Sequence, residues 1–142
     1  MKIHHAMAAV LVWNATAMIA VHAQDTPVFD QYFTLFEKKS ANELPLTDDV
    51  TFDGTLLPEA IRGKPAVVGF LNNAVPNLGI KSIKTVQKFE TEEGACAELM
   101  FDYETRGTVE YVHCLEIEGG QISAIRLYFD PRPFLNSTDQ AQ

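Results

Sequence analysis

His113 is the residue of this chain best suited to chemistry, and it stands in the run Tyr-Val-His-Cys-Leu. Side chains alternate in direction along a strand, so Tyr111 and Leu115 share its face. Apolar burial disfavours the charged imidazolium, and we therefore expect a neutral ring that makes one or two specific hydrogen bonds. Two interpretations stay open: the ring lines a ligand pocket, or it is a core residue bonded to Gln87, Tyr32 or the backbone.

Asp53 is the second candidate, because it ends a short alternating run just before Gly54. If its carboxylate enters the same cavity as His113, it is a general base positioned for proton transfer. An aspartate before a glycine is also a common turn residue, and that alternative stays open. The sequence contains no metal-binding cluster, phosphate-binding loop or nucleophile elbow, so we predict no metal and no other cofactor.

The first 23 residues have the pattern of a secretory signal peptide. Lys2 precedes an apolar run over residues 6–20, and the segment closes on the small-residue pattern Val-His-Ala. This run is shorter than the roughly 20 residues that span a bilayer. We therefore predict cleavage after Ala23, a secreted or periplasmic protein, and no membrane association once the signal is removed.

The mature chain is predicted to be one acidic domain. The formal net charge of the sequence is −8, and the loss of Lys2 makes it more negative. Such a charge repels phosphate backbones, so we expect no nucleic-acid partner. The length suits a single core over residues 24–135, followed by a polar, disordered tail over residues 136–142.

Two helices and two short strands are predicted before the main sheet. Residues 27–39 carry an apolar stripe at helical spacing. A second helix is predicted over residues 65–75 and ends before Pro76, because proline interrupts helical hydrogen bonding. The short strands are predicted over residues 50–53 and 60–62.

Four strands joined by three turns are predicted over residues 80–129. The loops at 92–94 and 105–107 match three-residue hairpin turns that end in a left-handed glycine. Counting outward from these turns predicts three rows on the apolar face. The rows are Phe89, Ala97 and Leu115; Gln87, Leu99 and His113; and Thr85, Phe101 and Tyr111.

The opposite face of this sheet is predicted to carry charged pairs and both cysteines. Lys88 lies opposite Glu98 on the predicted register. The same register also sets Cys114 against Glu98, so Cys114 lies diagonal to Cys96. Diagonal neighbours are farther apart than direct ones, and whether the two sulfurs are bridged stays open.

The turn at residues 119–120 has two interpretations. A two-residue turn places Arg126 opposite His113, whereas a three-residue turn or a bulge sends Arg126 outward toward Glu116. We favour the second, because it avoids an unpaired buried guanidinium and buries three apolar side chains at about 1.5–3 kcal/mol each. The side chains turned inward are Ile125, Leu127 and Phe129.

These elements in this order resemble the nuclear transport factor 2-like superfamily, specifically its SnoaL-like branch. The resemblance rests on the N-terminal helix, the strand at 48–53, the glycine and helix at 61–71, and the closing runs at 118–122 and 126–130. It implies an α+β fold in which a curved antiparallel sheet wraps around N-terminal helices as a cone. An apolar pocket opens at one end of that cone.

The resemblance also implies roles for individual residues. By similarity to ketosteroid isomerase, His113 stands where that enzyme has its oxyanion-stabilising acid, and Tyr32 is the candidate for its catalytic tyrosine. The base of that enzyme matches Asp53 or Gly54. Members often dimerise through the outer sheet face, which implies a homodimer here. The superfamily also contains cyclases, dehydratases, epoxide hydrolases and non-catalytic binding modules, so the fold leaves the function open.

We expect an exported domain that binds a small apolar ligand in the cone without demonstrable catalysis. The alternative is an isomerase, cyclase or dehydratase with Asp53 as base and His113 as acid or hydrogen-bond donor. A third hypothesis is a structural or partner-binding domain whose cone is filled by side chains. The predicted ligand-binding residues are Gln87, Leu99, Phe101, Tyr111, Leu127 and Phe129.

Overall fold

A six-stranded sheet and two α-helices make up the structure, a computed structural model that describes residues 27–135. The predicted signal peptide and tail lie outside the described residues. Within the described range, no helix is long and apolar enough to cross a membrane. The elements are α1 (Val28–Lys38), β1 (Leu46–Gly54), β2 (Ile61–Arg62), α2 (Lys64–Asn77), β3 (Ile80–Glu90), β4 (Gly94–Tyr103), β5 (Gly107–Glu118) and β6 (Gln121–Phe129), with a short 3₁₀ turn at Arg132–Phe134.

The strands lie in the order β2-β1-β6-β5-β4-β3. All neighbours run antiparallel except β1 and β6, which are parallel. The sheet is curved and open, with β2 and β3 at its edges. This confirms the α+β fold and the curved sheet, with one correction: the sheet is mixed, because the last strand of the meander pairs with β1.

Helix α1 packs its aromatic side against the sheet. Phe29, Tyr32 and Leu35 recur at helical spacing, and all three are buried. The helix ends at Lys39, which adopts a left-handed conformation with φ 52°. The helix expected over residues 27–39 is confirmed to within one residue at each end.

Helix α2 is longer than the sequence predicted, because it passes through Pro76. This proline lies in the last turn, where its missing N–H removes one backbone hydrogen bond and the helix ends directly afterwards. Its buried residues Val67, Leu71 and Val75 are four positions apart and face the sheet as one stripe. The added residues Pro76 and Asn77 bring Leu78 beside the core.

The first hairpin is shifted by one residue from the predicted register. Phe89 pairs with Cys96, one place away from its predicted partner Ala97. Since a one-residue shift turns each side chain to the other face, Phe89 is 70% exposed. Gln87 is likewise on the outer face, where its Nε2 donates a hydrogen bond to Glu98 Oε2 over 2.9 Å. The predicted inward positions of Phe89 and Gln87 were wrong.

Thr91 explains this shift. Its Oγ1 accepts hydrogen bonds from the backbone N–H groups of Glu93 and Gly94, so it belongs to the turn and not to the strand. A bulge between Thr85 and Gln87 then returns the first half of β3 to the predicted face.

Lys88 therefore lies opposite Ala97. The predicted pairing of Lys88 with Glu98 was wrong. Its ammonium is 3.1 Å from Asp30 Oδ1 and 3.4 Å from Glu90 Oε2. It also stands 5.5 Å from the ring centroid of Phe29. Lys88 thus ties the edge strand β3 to helix α1.

Strands β4 and β5 keep the predicted faces but are shifted by two residues. His113 lies opposite Ala97 instead of Leu99, and Cys114 lies directly opposite Cys96. These two cysteines form a disulfide with their Cα atoms 4.2 Å apart. The diagonal placement was wrong because the turn occupies residues 104–106, one position earlier than predicted.

The bulge favoured for the last hairpin is confirmed. Glu118 pairs with Gln121, and the register shifts between Glu116 and Ile117. As a result, Ile125 is fully buried, and the guanidinium of Arg126 forms an outer-face ion pair with Glu116. His113 faces Leu127 across the same strands.

Loss of the Cys96–Cys114 bridge is expected to destabilise the domain. The bridge joins residues 18 positions apart, and closing a loop of about that size stabilises a protein by about 3 kcal/mol, chiefly by restricting the unfolded chain. We expect the Cys96→Ala/Cys114→Ala double variant to lose about 2–4 kcal/mol of unfolding free energy in urea denaturation. A reducing agent is expected to remove the difference between the two proteins. Equal stability under oxidising conditions would contradict this account.

Candidate functional site

An apolar cavity of about 160 Å³ lies between the sheet and the two helices. Its polar lining residues are one histidine and three tyrosines, and no charged residue of the described chain lines it. The lining residues are Tyr32, Leu35, Phe36, Phe52, Gly54, Leu56, Leu57, Phe70, Leu71, Ala74, Val75, Leu78, Phe101, Tyr103, Tyr111, His113, Leu127, Phe129 and Phe134.

The periodicity of each element explains how these residues meet. On the strands the lining residues are two apart, as with Tyr111 and His113 on β5, because alternate side chains share a face. On α2 they follow helical spacing at Phe70, Leu71 and Ala74. The curvature of the sheet brings these separate stripes around one space.

His113 is 1% exposed and is packed among aromatic rings. Its centroid lies 5.4 Å from that of Phe101, 5.5 Å from Tyr111 and 6.0 Å from Phe36. Burial lowers the pKa of His113 to about 3, because an uncompensated imidazolium is poorly solvated there. The ring is therefore neutral near pH 7, as the sequence predicted.

One nitrogen of His113 is bonded to Tyr32. The distance from Tyr32 Oη to His113 Nδ1 is 3.1 Å, and the sequence had named Tyr32 as one of three alternative partners. Burial also raises the pKa of Tyr32, so its hydroxyl keeps its proton. Gln87, another of the alternatives, lies on the far face of the sheet.

The other nitrogen, Nε2 of His113, is buried and has no hydrogen-bond partner among the described residues. The tautomer follows from counting unmet polar groups. If Tyr32 donates to Nδ1, one buried group is left without a partner, the Nε2–H. If Nδ1–H donates to Tyr32, two are left, the hydroxyl proton and the Nε2 lone pair. Since an unmet buried polar group costs about 1–3 kcal/mol, we assign the proton to Nε2.

Tyr103 and Tyr111 form a second polar pair on the lining. Their hydroxyl oxygens are 2.6 Å apart, and both side chains are buried. Burial raises the pKa of each phenol, so both are neutral. One hydroxyl donates to the other, and the O–H of the accepting tyrosine is left as a further neutral donor on the lining.

Phe134 lines the cavity from the C-terminal 3₁₀ turn. The guanidinium of Arg106 lies 5.1 Å from the Phe134 ring centroid and donates a hydrogen bond to the Leu78 carbonyl over 3.2 Å. Arg106 thereby joins the β4–β5 turn to the end of α2 and to the 3₁₀ turn at Arg132–Phe134. These contacts hold the aromatic wall at this side of the cavity.

Asp53, the predicted base, is exposed and does not line the cavity. Its Oδ1 accepts a hydrogen bond from the Gly54 N–H over 2.8 Å. In the parallel β1–β6 pairing, the backbone of Asp53 lies beside that of Arg126. Its neighbours Phe52 and Gly54 face the cavity, so strand alternation turns Asp53 away. The structure therefore does not bring Asp53 and His113 into one cavity.

Four of the six predicted ligand-binding residues line the cavity, and two do not. Phe101, Tyr111, Leu127 and Phe129 line the cavity. Leu99 is fully buried in the core without lining it, and Gln87 is exposed.

Sequence reasoning did not identify the cavity-lining residues of α2 or of the loop after β1. Leu56 and Leu57 follow Gly54 and form part of the lining, as does Leu78 beyond Pro76. The helical spacing of apolar residues across Pro76 was the signal that pointed to Leu78. Chemically, the site offers an apolar surface, the neutral N–H of His113 and neutral tyrosine hydroxyls, and none of the described lining residues is a carboxylate.

The burial of His113 predicts a specific pH dependence. A histidine in the unfolded chain titrates near about pH 6.5, whereas the folded pKa is about 3. Between these values the unfolded state binds more protons, so stability falls as pH falls, by up to about 1.4 kcal/mol per pH unit. The measurement is urea denaturation of the wild type and of His113→Gln, which lacks this titration.

Carboxylates titrate in both proteins, so only the difference between them reports on His113. We expect the stability of the wild type relative to His113→Gln to decrease steadily from about pH 6.5 to about pH 4. A difference that is constant across this range would contradict the buried, neutral imidazole.

Solved structures from several bacteria have a similar fold. A nuclear transport factor 2-like protein of unknown function from Cytophaga hutchinsonii gives a TM-score of 0.59 at 18% identity, covering 80% of this chain and 99% of its own. Another from Mesorhizobium loti gives 0.63 at 14%, covering 72% and 88%. A candidate ketosteroid isomerase from Kribbella flavida gives 0.61 at 17%, covering 72% and 75%.

No protein-family model matches the sequence, and no curated protein matches it. The similarity therefore lies in the path of the chain, and it extends over most of the described residues. The chain has the nuclear transport factor 2-like fold, and the resemblance inferred from its sequence is confirmed at the level of the fold.

Proposed function

We propose that this protein is an exported binding protein that holds a small, neutral, mainly apolar ligand in the cavity. The observation that carries the proposal is that His113, whose buried Nε2 has no hydrogen-bond partner among the described residues, lines a cavity that is mostly apolar. Buried polar groups in proteins are nearly always hydrogen-bonded, and the exceptions call for an explanation. A bound ligand supplies one.

The composition of the lining supports binding more than catalysis. Ligand pockets are usually apolar with a few placed polar groups, and this cavity has that character. Proton transfer between carbon and oxygen needs a positioned acid and base. Among the lining residues the structure provides a neutral imidazole and three neutral phenols, and Asp53 is outside the cavity.

Export is supported by two features. The first 23 residues have the signal-peptide pattern described above. Cys96 and Cys114 are bridged, and disulfides persist mainly in oxidising compartments such as the periplasm or the cell exterior.

The proposal is tested by filling the cavity. Ala74 lies on α2 and lines it, so Ala74→Phe is expected to occupy the space that a ligand needs. Titration calorimetry and thermal shift with a panel of neutral apolar compounds are expected to detect binding to the wild type and at least a tenfold weaker binding to Ala74→Phe, a loss of about 1.4 kcal/mol.

The matched control is Ala66→Phe, an exposed position on the same helix. It adds the same side chain outside the cavity and is expected to leave binding unchanged. Wild-type protein that binds no compound of the panel would contradict the proposal. So would Ala74→Phe that folds and binds as well as the wild type.

A further inference from the structure

The size of the cavity restricts the ligand to one ring. Its volume is about 160 Å³, close to an engineered cavity of about 150 Å³ in another protein that admits benzene. Pockets for drug-sized ligands measure about 300–1,000 Å³. A steroid, which has four fused rings, therefore exceeds the space between α2 and the sheet. The size limit holds even though a candidate ketosteroid isomerase has a similar fold.

The walls favour a flat ligand. Phe36 and Phe101 meet edge to face with centroids 5.3 Å apart, and Tyr111 and Phe129 are 4.6 Å apart on the lining. An aromatic guest extends such arrangements, because ring edges and faces attract one another.

The electrostatics of the lining exclude a charged ligand. No charged side chain of the described residues lines the cavity, and a buried charge without a counter-charge is strongly unfavourable. The guanidinium of Arg106 lies over the ring of Phe134 and donates to the Leu78 carbonyl, and Arg106 does not line the cavity.

The tautomer of His113 decides which polar group the ligand carries. Tyr32 donates to Nδ1, so Nε2 bears the proton and presents a donor. The Tyr103 and Tyr111 hydroxyls share one hydrogen bond, and the O–H left over is also a donor, so it too favours an acceptor on the ligand. His113 lines the cavity but is only 1% exposed, so a small displacement of the neighbouring side chains lets the acceptor reach Nε2.

We propose that the ligand is a neutral single-ring molecule with one hydrogen-bond acceptor, a ring nitrogen or an oxygen on the ring, that pairs with the Nε2–H of His113. This inference rests on the proposed function and adds the size and polarity of the ligand. Tyr32 acts as a positioning residue, because it fixes the tautomer that selects acceptors over donors.

The probes are benzene, pyridine and pyrrole, which are similar in size and shape. Benzene has no strong hydrogen-bonding group, pyridine is an acceptor only, and pyrrole is a donor only. Binding to the full chain is measured by titration calorimetry at mildly alkaline pH, where pyridine is neutral. We expect pyridine to bind more tightly than pyrrole, by about fivefold for one net hydrogen bond.

Two variants separate recognition from packing. His113→Leu removes the Nε2–H donor, so the preference for pyridine over pyrrole is expected to decrease markedly while benzene still binds. Tyr32→Phe frees Nδ1, so the imidazole can present either a donor or a lone pair at Nε2, and pyrrole is expected to gain affinity relative to pyridine. A purely structural role of Tyr32 would weaken all three probes alike.

The outcomes separate this inference from the proposed function. Equal wild-type affinities for pyridine and pyrrole would overturn the acceptor rule, and this comparison needs no variant to fold. A steroid that binds more tightly than the single-ring probes would overturn the size limit and leave the binding function standing. Failure of every probe, steroid included, would overturn both.

Discussion

The hydrogen bond between Tyr32 and His113 is the interaction on which the site depends. It joins helix α1 to strand β5 across the core, and both side chains are about 1% exposed. In such surroundings neither group is expected to ionise near neutral pH. The bond therefore fixes the orientation and the tautomer of the imidazole, and it leaves Nε2 as a buried donor with no partner among the described residues.

The surrounding fold keeps this arrangement in apolar surroundings without charged neighbours among the described lining residues. Apolar stripes from α1, α2 and four strands enclose the cavity, while the charged pairs, Asp53 and the disulfide lie on other faces. Separation of this kind leaves an apolar surface with a few neutral polar groups, the character on which the proposed ligand binding rests. Among the described residues, the lining supplies a neutral imidazole and three neutral phenols but no carboxylate.

Much of the fold could be predicted because it follows from local periodicity. The α1 stripe, the alternation of β4 and β5 and the bulge before Arg126 each arise from short-range patterns of apolar residues, and the structure confirms them. The burial and neutrality of His113 followed from the same alternation.

The errors arose where a turn decided the register. Thr91 closes the first turn with its side chain, which reverses the faces of Phe89, Lys88 and Gln87. The second turn begins one residue early, which brings Cys96 opposite Cys114. The cavity also depends on α2 and the loop at Leu56, whose approach to the sheet is a tertiary property that no local pattern encodes.

The most direct test of this account is the ¹⁵N chemical shift of the His113 ring nitrogens, with their signals identified by loss in His113→Gln. The account predicts a neutral imidazole protonated at Nε2 that does not titrate between about pH 5 and about pH 8. Titration near about pH 6.5, or a proton on Nδ1, would contradict it.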